Sequence, residues 1–146
     1  MFDWRWDFTF DILPRLLVAT GNTLMAAGFG YAIAVVLGLV FALAQRTPSR
    51  VLTMIVREAV EFIRSTPLVL QIFFVFYVGP QFGLRLSPWT AGMIAIGLHY
   101  AAYLSEVYRG GLDSVPKGQW EAATSLNLST TRTYFRVIIP QAMPPS

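Results

Sequence analysis

Two side chains could move protons from within an apolar stretch: His99, the single histidine, and Glu106. Their spacing of seven residues puts them on one helical face about two turns apart, roughly 10 Å along the axis. A direct hydrogen bond is out of reach at that separation, which argues against an acid–base pair in a membrane-embedded enzyme. No second strong ligand lies near His99 in sequence, so a hydrogen bond to a neighbouring helix is preferred to metal binding. The chain has no cysteine, which removes disulfides, thiolate metal sites and cysteine nucleophiles. It also lacks the GxxxxGK[ST] phosphate loop, so it should hydrolyse no nucleotide and is not expected to be an enzyme or to need a cofactor. Glu106 has two readings. An ionisable group in a span is costly unless it faces a bundle interior, a partner or water, which suggests a transport role; alternatively it lies at headgroup level, paired with Arg109 three residues on.

The elements that hold these groups are apolar. With 55% hydrophobic and 14% aromatic residues, the 146-residue chain is too apolar for a soluble domain of its size and reads as one transmembrane domain, 1–146. Its eleven basic residues are scattered between apolar runs, so a net charge of +3 does not point to nucleic acid. Asp3, Asp7 and Asp11 against Arg5 make the start unlike that of a cleavable signal peptide, and no segment is expected to be removed.

Leu17 to Ala44 carries no charge and is long enough for a first span, about 17–44. Within it Ala26, Gly30, Ala34, Gly38 and Ala42 recur every fourth position. Such a stripe either reflects the commonness of small residues in membrane helices or forms a seam for a close neighbour in this chain or a partner. From Val51 to Ile63 an apolar stripe opposes Arg57, Glu58, Glu61 and Arg64, giving an amphipathic helix that lies in the interface or leads into the next span. Leu68 to Val78 is too short to cross alone and should continue that helix through a kink at Pro67, making a second span of about 60–80. A Gly- and Pro-bearing turn, 79–87, precedes a third span over about 88–107.

The segment from Gly118 to Ala142 departs from this pattern. Gln119, Glu121, Ala122, Ala123 and Leu126 favour a short helix, and Asn127 can occupy a left-handed C-cap. Ser129 or Thr130 can then N-cap a second helix, Thr131 to Ile139, that Pro140 ends. On spacing alone this is a helix-turn-helix connector within a cytoplasmic segment 109–146.

Three stretches carry a resemblance. Residues 118–142, with Gly118, Gln119, Glu121, Ala122, Ala123, Leu126, Phe135, Val137, Ile138, Pro140, Gln141 and Ala142 in place, resemble the EAA loop of the permease subunits of ABC importers, specifically the polar amino acid permease family. Asn127 stands where that family usually has Gly. Arg64 to Gln71, R-S-T-P-L-V-L-Q, resembles the family's R-G-T-P-L-x-x-Q, and Ala101 to Gly111 resembles its A-A-Y-x-x-E-x-x-R-G-G.

The resemblance implies an all-α integral membrane fold: three transmembrane helices plus a cytoplasmic coupling-helix loop, shortened from a five-helix permease. It implies an ABC importer subunit for a polar amino acid or compatible solute, with the opening Phe2 to Leu17 similar to ectoine and hydroxyectoine permeases. Partners would be an ATP-binding subunit, a second permease subunit in a homo- or heterodimer, an extracytoplasmic solute-binding protein and membrane lipid. Gly118, Gln119, Glu121, Ala122, Ala123, Leu126, Asn127, Phe135 and Pro140 would form the ATPase-coupling loop, with Glu121 the polar contact and Leu126 and Phe135 holding the loop to its membrane domain. Arg64, Pro67, Gln71, His99 and Glu106 would line the transport path or serve structure. Because family members continue past Pro-Gln-Ala into further spans, the alternatives are a truncated, inactive permease or a non-transport scaffold or sensor. The positive-inside rule places the N-terminus outside the inner membrane and the loop in the cytoplasm: Arg46, Arg50, Arg57 and Arg64 follow the first span, and Arg109, Lys117, Arg132 and Arg136 the third. Trp4, Trp6 and Trp89 suit interfacial anchors.

Overall fold

A computed structural model describes residues 5–142, and helices are the only regular secondary structure among them. Trp4, and residues 143–146 at the end of the segment expected to be cytoplasmic, lie outside the described residues.

Helix α1, Trp6–Ala44, is 39 residues long, roughly 58 Å at 1.5 Å per residue. It starts well before Leu17, because Asp7, Asp11 and Arg15 mark the edge of its apolar part rather than its end, and Pro14 is taken within it. Among the described helices α1 alone is continuous, long and apolar enough to cross a membrane.

The stripe of small residues is a seam. Gly30, Ala34, Gly38 and Ala42 are buried on α1, which packs on α4, Pro88–Asp113, around Ile96, Gly97, Ala101, Leu104 and Ser105. A Cβ at Gly30 would lie 2.7 Å from Ile96 Cγ2, one at Gly38 3.0 Å from the Ala101 carbonyl, and one at Gly97 2.6 Å from Ile33 Cγ2. The neighbour that the spacing calls for is therefore a helix of this same chain. Ser87 caps α4 by accepting from the Thr90 N–H at 3.1 Å, and Pro88 takes the first turn, where its missing N–H costs nothing. α4 runs six residues beyond 107. Its last turns carry Glu106, Arg109 and Asp113 at spacings that pair on a helix surface.

Helix α2, Arg50–Ser65, is capped by Ser49 and buries only Val60. It begins beside the end of α4, where Arg46 meets Asp113, and ends where the Arg64 guanidinium lies 5.3 Å from the Tyr103 ring. It thus runs back along α4 as a lead-in instead of lying across its end.

The span expected over 60–80 is not one kinked helix. α2 and the following helical stretch, 68–82, meet at 107°. Thr66 and Pro67 are both extended, with ψ of 137° and 136°, because the residue before a proline is driven out of the helical region. The second stretch starts as α3, Leu68–Phe73, widens into a π-helical turn, Phe74–Val78, and tightens into a 3-10 turn, Gly79–Phe82. Gly83, at φ 83°, reverses the chain towards α4.

The last elements pack at the end of α4: α5, Lys117–Ser125, and a helix built from α6, Thr130–Arg132, a π-helical turn, Thr133–Ile138, and α7, Ile139–Ala142. Pro140 does not end this helix. The wide turn before it bonds Ile139 N–H to the Tyr134 carbonyl, five residues back, and this change of register takes in a residue with no N–H.

Gly97→Val should lower the stability of the detergent-solubilised chain by about 1–3 kcal/mol through overpacking of the seam. Gly28→Val, at a position with open space around it, should leave it near wild type. Thermal unfolding of both variants followed by circular dichroism checks the contrast.

Candidate functional site

The first site is the corner between α2 and α3. A helix that stops leaves carbonyls unpaired, which is costly away from water. Gln71 supplies the donors: its Nε2 lies 2.7 Å from the Ile63 carbonyl, 3.2 Å from that of Thr66 and 2.8 Å from Thr66 Oγ1. Thr66 Oγ1 itself donates towards the Phe62 and Ile63 carbonyls, each at 3.0 Å. Pro67 opens the corner and Gln71 closes it, so both carry backbone geometry. Arg64 joins the corner to α4, with its carbonyl accepting from the Tyr103 hydroxyl at 3.4 Å. His99 packs its ring against Tyr100 and Tyr103, with centroids 5.4 and 5.1 Å away. The hydrogen bond expected of it is missing at Nδ1, which is buried without a partner. No group of three His, Cys, Asp or Glu suited to a metal occurs among the described residues.

A row of alternating charge runs along the end of α4. Arg109 donates to Glu106 Oε2 at 2.7 Å and to Asp113 Oδ2 at 3.1 Å. Arg46, just past the end of α1, donates to Asp113 Oδ1 at 2.5 Å. Glu106 is thus paired with Arg109, as the headgroup-level reading required. The row borders a polar cavity of about 490 Å³ lined also by Gln45, Thr53, Arg57, Val60 and Glu61.

The second site is the knuckle of α5 and the final helix. Its turn is a Schellman motif: Leu128 N–H donates to the Ala123 carbonyl at 3.1 Å and Asn127 N–H to that of Thr124 at 2.9 Å. Asn127 sits at φ 52°, the left-handed angle the sequence suggested. Ser129 holds the next N-cap position, without a side-chain bond. Leu112, Val115 and Ile138 form a small core, with Trp120, Tyr134, Val137 and Ala142 against it. Trp120 meets Tyr134 edge to face at 5.4 Å. Gln141 donates to the Val137 carbonyl at 2.7 Å and to Gln119 Oε1 at 3.2 Å, tying the two ends of the knuckle.

Residues 118–135 of the coupling set divide between faces. Ala123 is buried at 2% exposure, whereas Gln119, Glu121 and Ala122 lie on the open side of α5 and Gly118 has free space around it. Leu126 and Phe135 do not hold the knuckle to the membrane domain: they are 73% and 69% exposed. Trp120, Tyr134 and Ile138 do that work. A signature of identical letters passes over Trp120 and Tyr134, since both stand at its variable positions. The signal available was their aromatic bulk on the inward side of each short helix.

A family model described as "Binding-protein-dependent transport system inner membrane component" matches residues 30–146. The chain is 43% identical to the probable amino-acid ABC transporter permease protein y4tG of Sinorhizobium fredii, over 99% of its own length and 65% of that protein's. It is also 43% identical to the L-cystine transport system permease protein TcyB of Bacillus subtilis, over 73% of its own length and 46% of that protein's. The crystal structure of an amino acid ABC transporter with histidines superposes with a TM-score of 0.84 at 30% identity, covering 97% of this chain and 66% of that one. The chain thus spans about two thirds, or less, of these relatives.

Asn127→Gly should hold or raise stability, and Asn127→Val should lower it by about 1–2 kcal/mol, because a β-branched side chain opposes positive φ. Gln71→Leu should cost about 1–3 kcal/mol by leaving the corner carbonyls unpaired. Denaturant or thermal unfolding of the purified variants measures all three.

Proposed function

We propose that this chain, which belongs to the family of binding-protein-dependent transport system inner membrane components, is the permease subunit of an ATP-binding-cassette importer for a polar amino acid or related compatible solute. The observation that carries this reading is the knuckle: a short helix seated by buried Ala123, with Glu121 and Ala122 turned outward on a rigid two-helix support. Such a helix suits a groove on an ATP-binding subunit. Small Ala122 lets the backbones approach, and Glu121 supplies a polar contact.

The charge asymmetry supports a cytoplasmic knuckle and an N-terminus outside. Two such permeases, identical or related, would form the path, and a binding protein would deliver the solute from outside. ATP-driven closure of the paired ATP-binding subunits would pull on α5, and the knuckle core would pass that displacement to α4 as a rigid-body movement. Leu126 and Phe135, exposed on the same knuckle, fit a part in the docking face. The relatives point to amino acids: TcyB is named for L-cystine, and others for nopaline or glutamine. Ectoine and hydroxyectoine belong in the uptake panel as compatible solutes.

The test separates docking from folding. Glu121→Ala with Ala122→Trp alters only the open face, whereas Ala123→Trp would break the knuckle itself. In the complex assembled with the ATP-binding subunit encoded beside it, the double variant should keep the wild-type melting temperature. It should lose most ATPase association and binding-protein-stimulated hydrolysis. Full retention of both would remove α5 as the coupling element.

A further inference from the structure

α5 is fastened to α4 by the knuckle core, and Arg46, just past the end of α1, reaches both helices. That guanidinium lies 5.3 Å from the centroid of the Trp120 ring of α5 and donates to Asp113 Oδ1 of α4 at 2.5 Å. Asp113 divides its two oxygens between Arg46 and Arg109, and Arg109 passes on to Glu106. Trp120 also meets Tyr134 edge to face at 5.4 Å. A pocket of about 370 Å³ lies beside this junction, lined by Arg46, Asp113, Lys117, Trp120 and Glu121 among others.

We infer that Arg46 is the positioning residue that couples α1 to the movement of α5, a role that rests on the reading of α5 as the ATPase-docking helix. A planar guanidinium can lie over an indole while its forked N–H donors grip a carboxylate, a combination that suits Arg better than the compact ammonium of Lys. When α5 is displaced, Trp120 carries Arg46, and Arg46 carries the end of α1. The seam then keeps α1 and α4 moving as one body. Arg46 acts through Trp120 and Asp113.

The experiment uses the assembled transporter in proteoliposomes, with ATPase association, basal hydrolysis, binding-protein-stimulated hydrolysis and solute uptake measured side by side. Arg46→Met should leave association, melting temperature and basal hydrolysis near wild type and reduce uptake per ATP about tenfold. Trp120→Leu, which also removes a member of the knuckle core, should lose at least as much, and adding Arg46→Met to it should lower uptake per ATP little further. Arg46→Lys, which keeps the ion pair with Asp113 but not the stack, should recover part of the uptake per ATP.

Normal uptake per ATP in Arg46→Met, with the wild-type complex assembled and active, would overturn the assignment. So would additive losses, or a fall in melting temperature that accounts for the lost uptake in both Arg46→Met and Arg46→Lys. A wild-type chain that fails to bind the ATP-binding subunit would instead remove the coupling reading, and this inference with it.

Discussion

Everything else hangs on how closely α1 and α4 approach each other. In lipid no hydrophobic force drives two apolar helices together, so contact depends on backbone proximity and dispersion. Gly30, Gly38 and Gly97 supply that proximity, each at a point where a Cβ would strike Ile96, the Ala101 carbonyl or Ile33. The resulting two-helix body fixes both its ends. At one, Phe29 meets Trp89 edge to face at 6.3 Å; at the other, Arg46 arrives beside Asp113. α2 and the 68–82 stretch then pack on α4.

The corner at Thr66 and Pro67 shows how a broken helix is held together. Irregular backbone there needs its polar groups satisfied within the protein. Proline forces the break, and the amide of Gln71, four residues on, closes it by reaching back to the last carbonyls of α2. The Thr-Pro and Gln positions of the second signature are therefore one structural unit. Arg64 and Tyr103 attach that unit to α4.

The knuckle sorts its residues by face. Trp120, Ala123, Tyr134 and Ile138 turn inward, while Glu121, Ala122, Leu126 and Phe135 remain open. A helix of nine residues is too short to be stable alone, so its shape is imposed by the small core beneath it and by the Schellman turn at Asn127. Rigidity of that kind is what a part that transmits displacement requires.

Much of this was legible in the residues alone. Small residues at every fourth position of α1 pointed to a close neighbour, Asn127 to a left-handed turn, and the three signatures to the family, because each depends on local spacing or local backbone angle. The sequence could not say that the seam's partner was α4, that Pro67 makes a 107° corner rather than a kink, or that Leu126 and Phe135 face outward. Nor could it bring Arg46, Asp113 and Trp120 together across 67 and 7 residues of chain. Periodicity tells which residues share a face of one helix. Which face meets which neighbour depends on crossing geometry and competition among many weak contacts, and only the packed structure decides it.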